Sequence, residues 1–196
     1  MVPRTRKRAG RAPAAGAART WIALFRGVNV GGRNLLPMKA LVALLAGEGL
    51  DEVRTYIQSG NVVFRGAGSA AAIAERILAA VAARFGFRPH LLLLSAADLE
   101  RAASANPYPE ACATPQYLHL WFLVEAPTAA GAKSLEAVRA PSERFTVRGR
   151  VLYLHAPEGI GRSKLAARAE SLLGVAATAR NWRTVTQLLE LAGGPR

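Results

Sequence analysis

Three segments of this chain set a helix start next to cationic side chains, and two of them add glycine. The first, Arg26-Gly27-Val28-Asn29-Val30-Gly31-Gly32-Arg33-Asn34, lies between an apolar run and Pro37, which opens a helix. Glycines free the backbone to aim N–H groups at a ligand, a helix N-terminus adds partial positive charge, and arginines add whole charges. Phosphate or carboxylate binding is the chemistry this combination suits. The spacing matches neither G-x-G-x-x-G nor G-x-x-x-x-G-K-[ST], so no nucleotide fingerprint is present, and a tight turn with solvated arginines is the bland alternative. The second segment, Gly159-Ile160-Gly161-Arg162-Ser163-Lys164, has Ser and Lys in the wrong order for a P-loop, which excludes nucleotide hydrolysis by that mechanism. What remains is an N-cap serine with two cations, enough to hold an oxyanion or simply to start a helix. The third is Thr178-Ala179-Arg180-Asn181-Trp182, with Arg180 beside a capping Asn181.

Other chemistry is sparse. His90, His119 and His155 fall in apolar strand-like runs without an acidic partner at a telling spacing, which is the setting of half-buried packing histidines. Cys112 stands alone in a loop with no evident base, so an incidental thiol is expected, and no His, Cys and carboxylate cluster calls for a metal or other cofactor. Asp51 and Glu52 sit in a turn, where solvation is the default. Tyr56, Trp121 and Trp182 can stack on a ligand, but aromatic residues in strands and helix starts are ordinarily core. The residues leave open whether the protein is catalytic.

The elements that must position these groups follow from periodicity. Trp21-Ile22-Ala23-Leu24-Phe25 reads as a buried strand, followed by a helix with Met38, Leu41, Leu44 and Leu45 on one face. Val53–Ile57 and Val62–Phe64 flank Gln58-Ser59-Gly60-Asn61, a hairpin turn. Ser69 caps a helix with Ile73, Ile77, Val81 and Phe85, and Leu91–Leu94 is a strand. Ser95-Ala96-Ala97-Asp98 resembles a capping box and starts a short linking helix. The order then returns: a strand over Tyr117–Val124, a weak helix over Ala129–Val138, a hairpin around Arg148-Gly149-Arg150, a helix capped by Ser163, a short strand over Val175–Thr178 and a terminal helix capped by Asn181. Two copies of β-α-β-β-α-β predict an α+β fold of two tandem ferredoxin-like units with antiparallel sheets and a C-terminal helix. The expected units span 20–95 and 116–180, with a linker over 96–115 and the closing helix and tail over 181–196.

Composition bounds the function classes. Hydrophobic residues make up 51% and charged residues 20% of the 196, which excludes a disordered chain. Lys plus Arg number 26 against 13 Asp plus Glu, a net charge of +13 that favours acidic partners. Arg4, Arg6, Lys7, Arg8, Arg11 and Arg19 supply six of those charges from an acid-free start, so residues 1–19 are expected to form a disordered basic tail. That start lacks the apolar run of a signal peptide, no stretch approaches a membrane span, and a single cysteine suits a reducing cytoplasm.

Four segments together resemble a known family, catalogued as domain of unknown function 1697: Ala23-Leu24-Phe25-Arg26-Gly27-Val28-Asn29-Val30-Gly31-Gly32, Val53–Phe64, Gly161-Arg162-Ser163-Lys164-Leu165 and Thr178-Ala179-Arg180-Asn181-Trp182. The resemblance covers about residues 20–191 and implies a two-part α+β fold of ferredoxin-like units in a mostly bacterial, cytoplasmic family. It implies no reaction. The basic stretch before Thr20 departs from the family pattern.

These motifs add the Gln58–Asn61 turn to the three loops, since Gln and Ser bring hydrogen-bonding groups that a minimal turn does not need. The expectation is one polar cleft between the units. Arg26, Lys164 and Arg180 would be its charge partners, Asn29, Ser59, Asn61, Ser163 and Asn181 its orienting groups, and Gly31 and Gly32 its backbone donors. Three function classes follow. The first is a cytoplasmic binder of a phosphate- or carboxylate-bearing ligand, either a nucleotide or nucleic acid, although the aromatic strand motif of RNA-recognition domains is absent. The second is an enzyme acting on a phosphorylated small molecule, and the third a self-associating or partner-binding protein.

Overall fold

Strict alternation along β1 (Arg19–Arg26) sends Trp21, Ala23 and Phe25 to one side and Ile22 and Leu24 to the other, and both sides are buried. A strand apolar on both faces needs a cover on each, and the whole architecture follows from that need. The computed structural model describes residues 17–193. The basic stretch expected to be disordered over 1–19 therefore lies, up to residue 16, outside the described residues, while Arg19 already pairs with Gly66 in the sheet.

After β1 come α1 (Met38–Gly47), β2 (Asp51–Tyr56), β3 (Asn61–Gly66), α2 (Ala70–Phe85), β4 (His90–Ser95) and α3 (Ala96–Ser104). The second half holds β5 (Leu118–Leu123), α4 (Ala129–Ser134), β6 (Arg144–Arg148), β7 (Val151–His155), α5 (Lys164–Leu173), β8 (Ala177–Asn181) and α6 (Trp182–Ala192). The strands form two four-stranded antiparallel sheets, in the orders β2-β3-β1-β4 and β6-β7-β5-β8. The two halves share one strand order, as the repeated element pattern requires.

Three apolar layers hold the sheets. On the outer face of the first, Trp21, Ala23 and Phe25 meet Leu41 and Leu45 of α1 and Ile73, Ile77 and Val81 of α2. On the outer face of the second, Trp121 and Leu123 meet Leu165, Ala169 and Leu173 of α5. The inner faces share a third core. Ile22, Leu24 and Val63 lie in it with Leu118, Leu120 and Phe122, together with Leu99 of α3 and Val185 and Leu188 of α6. The linking helix α3 and the closing helix α6 are thus central elements, and the Tyr153 hydroxyl donates to the Ala102 carbonyl at 2.7 Å, tying β7 to α3.

The helix starts form as their sequences predict. Ser69, Ser163 and Asn181 each accept a backbone N–H three residues on, and Ser95 and Asp98 complete a reciprocal capping box. Two expectations shift. The weak helix over Ala129–Val138 is α4 followed by a 3-10 turn at Leu135–Val138, and the last strand is displaced toward the C-terminus, from Val175–Thr178 to Ala177–Asn181. The second shift matters because it puts Arg180 inside a strand, opposite Leu120.

Among the strand histidines, His90 is exposed while His119 and His155 are half-buried. The His119 ring lies 6.0 Å from that of Trp121, its Nδ1 has no hydrogen-bond partner, and burial lowers its pKa to about 4 against the opposing effect of a bond to the Tyr117 backbone. The unfolded chain therefore takes up a proton near pH 6.5 that the folded chain refuses until about pH 4. Stability rises with pH across that window, and acidification from pH 7 to pH 4 should cost about 3 kcal/mol through this one ring. Urea unfolding at the two pH values should show the difference in the parent chain, and His119→Leu should lose about that much of it.

Candidate functional site

The displaced β8 makes Arg180 the junction between the two sheets. Its Nε donates to Asn61 Oδ1, its Nη2 to the carbonyls of Phe25 at 2.7 Å and Ser59 at 3.4 Å, and its Nη1 to the Ala179 carbonyl at 2.8 Å. Asn61 is fully buried and turns its own amide to Tyr56 O and Ser59 Oγ. Burial lowers the Arg180 pKa to about 10, so the group stays charged at neutral pH, with uncharged oxygens as its hydrogen-bond acceptors. Arg26 reaches in the opposite direction, from β1 to Glu170 Oε2 of α5 at 2.6 Å and to the Ala177 carbonyl at 3.0 Å. Each sheet thus sends one arginine into the other.

The adjoining loops are knotted by Asn29. Its side chain accepts from Leu36 N and donates to the carbonyls of Leu36 and Gln58, while Asn34 donates to Gly27 O. Asn29, Asn34 and Ile57 all hold left-handed backbone, at φ of 55°, 50° and 49°. Gly60 cannot be replaced without movement, since an added Cβ would stand 2.6 Å from Phe25 Cβ. The turn is pressed onto the end of β1. Gly31 and Gly32 lie at the exposed tip of the first loop. Val30, Leu35 and Ile57 are 68%, 63% and 53% exposed, each one residue from Asn29 itself or from a residue its side chain bonds.

Arg26, Asn29, Ser59, Asn61 and Arg180 lie along one seam with their polar groups already used: Arg180, Asn61 and Ser59 bond one another, Arg26 is taken by Glu170 and Ala177 O, and Asn29 by Leu36 and Gln58. Asn181 spends its side chain capping α6, and Ser163 spends its hydroxyl on Ala166 N. Lys164 faces a separate depression of about 540 Å³, which it lines with Arg139, Arg162 and Arg168. The expected single cleft is thus distributed over a seam and a distinct cationic surface.

A different concavity lies between the sheets. It measures about 310 Å³ and is floored by Leu94, Phe122, Leu123, Val151 and Tyr153, with Ala102 and Ala105 of the α3 region on one wall. Arg101, Arg148 and Arg150 line it with a single carboxylate, Asp98, which pairs with Arg101 and serves the capping box. Arg148 Nη1 donates to Ala105 O at 2.7 Å and fixes the β6–β7 turn against the end of α3. Sequence reasoning misses these arginines. The one sequence signal for Arg148 and Arg150 is the Arg-Gly-Arg turn, whose partner α3, which carries Arg101, lies more than forty residues earlier.

Cys112 accepts a hydrogen bond from Asn106 at 3.2 Å, and burial pushes its thiol up, away from reactivity. Among the described residues no three His, Cys, Asp or Glu side chains are grouped to hold a metal, and no helix is long and apolar enough to cross a membrane.

A family model described as a protein of unknown function (DUF1697) matches residues 18–153. The chain belongs to this family. The DUF1697 match includes both the Arg26–Asn34 loop and the Gln58–Asn61 turn, and ends before Ser163 and Arg180. A solved structure of a conserved bacterial protein from Streptococcus pneumoniae is similar at 24% identity and a TM-score of 0.67, covering 90% of this chain and 99% of that one. At that identity the likeness shows the fold. No curated protein matches.

Two stability changes test the seam and its loops. Arg180→Ala leaves Asn61 Oδ1 and Phe25 O without a donor and should cost about 3 kcal/mol in chemical denaturation, a loss that Arg180→Lys should not restore because an ammonium lacks the planar fork. Ile57→Asn replaces a β-branched residue in left-handed backbone and should gain about 1 kcal/mol, read as a rise in melting temperature.

Proposed function

We propose that this DUF1697 protein binds a small ligand carrying a phosphate or carboxylate on an apolar body, in the cleft between its two sheets. The observation that carries the reading is the composition of that cleft, an apolar floor beneath three guanidinium groups and one already paired carboxylate. Its volume of about 310 Å³ falls at the lower end of the range for small-molecule sites. Planar guanidiniums suit bidentate capture of phosphate or carboxylate oxygens, and Val151 and Ala105, both half-buried, offer surface to the rest of the ligand. Asp98 offsets one of the three cations, its partner Arg101, and Arg148 and Arg150 remain as net positive charge.

In this reading each sheet with its outer helices is one ferredoxin-like unit, 20–95 and 116–180, joined through 96–115 and closed by 181–196. Ligand binding in the cytoplasm accounts for the excess of cations and the lone cysteine together. A partner-binding role draws on a separate observation, the exposure of Val30, Leu35 and Ile57 around Asn29, three aliphatic side chains held at loop tips.

Thermal-shift and calorimetric titration with nucleoside monophosphates, aryl phosphates and aryl or acyl carboxylates tests the cleft. One class should stabilise the protein by about 2.7 kcal/mol at a hundredfold excess over its dissociation constant. Arg150→Ala should abolish that shift while leaving the free protein's melting temperature in place. A panel without any shift, or a shift that survives Arg150→Ala and Arg101→Ala, would reject the assignment.

A further inference from the structure

We infer that the depression beside the start of α5 is a second anion site, built for a chain of linked phosphates and independent of the cleft between the sheets. Four cations line it, Arg139, Arg162, Lys164 and Arg168, and no carboxylate does. They come from two elements. Arg139 follows the 3-10 turn at Leu135–Val138, whereas Arg162, Lys164 and Arg168 come from the start of α5 and the turn before it.

The four cations are in different states. Arg139 is fixed, its Nε on Glu136 Oε2 at 2.8 Å and its Nη1 on Glu143 O at 3.0 Å, with Nη2 left over for an incoming oxygen. Arg162, Lys164 and Arg168 are exposed and take part in no ion pair among the described residues. Lys164 and Arg168 stand four residues apart on one helix face, where like charges repel. Other cations of the chain do find carboxylates, as Arg88 does Glu75, Arg144 Glu110 and Arg65 Glu52. Glu136 pairs with Arg139, and Arg162 also borders a small cavity lined by Glu143 and Glu158, so Lys164 and Arg168 are the two cations of the depression with no carboxylate lining beside them.

The spread of the cations sets the ligand class. A single phosphate carries at most two charges and meets one or two side chains, whereas three cations outside any ion pair, with the paired Arg139 beside them, spread around about 540 Å³ and match more than one phosphate in succession. The site does not rest on the helix end, because the Ser163 hydroxyl is already used by Ala166 N. Point charges in an open depression read phosphates without reading bases, so a polyphosphate and the backbone of a single-stranded nucleic acid present the same chemistry.

The test is fluorescence anisotropy of the full chain with a labelled single-stranded oligonucleotide over a salt series, together with calorimetric titration of inorganic tripolyphosphate. The triple variant Arg162→Ala, Lys164→Ala, Arg168→Ala should make the plot of log affinity against log salt shallower by about 2, at roughly 0.7 for each phosphate the variant no longer neutralises. It should also weaken tripolyphosphate at least tenfold. Arg162→Lys with Arg168→Lys should keep both, since charge and not fork geometry is used, and Arg150→Ala should keep both because it belongs to the other cleft. Loss with the oligonucleotide alone would identify a nucleic-acid backbone, and loss with tripolyphosphate alone a free polyphosphate. Unchanged slope and unchanged tripolyphosphate affinity in a folded triple variant would overturn the site.

Discussion

A guanidinium withdrawn from most of its water has to be met by oxygen atoms on all its working edges, and half-buried Arg180 meets that demand only if two distant parts of the chain come together. Its partners Phe25, Ser59 and Asn61 belong to the first sheet and its adjoining turn, while the arginine itself is a residue of the second. Removing a charge from water costs several kcal/mol unless hydrogen bonds replace the lost solvation, so a small displacement of one sheet against the other is penalised steeply. Arg26 and Glu170 make the reciprocal contact with 35% and 45% of their side chains exposed, and water screens it. Arg180, with the larger set of bonds across the sheets, sets the register, and Arg26 adds to it.

Fixing the sheets in this way accounts for the placement of the rest. The inner faces of β1 and β5 are apolar and must be covered, and α3 and α6 enter the gap to cover them. Their packing fills the centre and stops short of the β6–β7 turn, where Arg148 bridges to the end of α3. The cleft is the space left at that margin, which explains why its floor is core and its rim is charged. The cationic depression lies elsewhere on α5, and an event at one of the two need not change the other.

Much of the fold is legible in the sequence because it rests on local chemistry. The caps at Ser69, Ser95, Ser163 and Asn181, the glycine at the Gln58–Asn61 turn and the alternation in β1 and β5 are all decided within a few residues. The candidate site is less legible for the same reason. Arg180 beside a capping asparagine reads locally as a solvated cation at a helix start, and its burial is decided by Asn61 and Phe25, 119 and 155 residues away. Asn29 reads as a ligand group because asparagine is polar, yet it and Asn34 are both used to hold left-handed loop backbone. The cleft arginines give little local signal, since Arg148-Gly149-Arg150 reads as an ordinary hairpin turn until α3 is set against it. Lys164 stands out in the sequence as an anion group, but its companions Arg139 and Arg168 join it only in three dimensions.

The two sheets form one cooperative body, joined by Arg180 and by a core to which both contribute. Differential scanning calorimetry of the intact chain tests this most directly. A single transition whose calorimetric and van't Hoff enthalpies agree is the predicted result. Two resolved transitions, or a van't Hoff enthalpy near half the calorimetric value, would show that the halves melt separately and would contradict it.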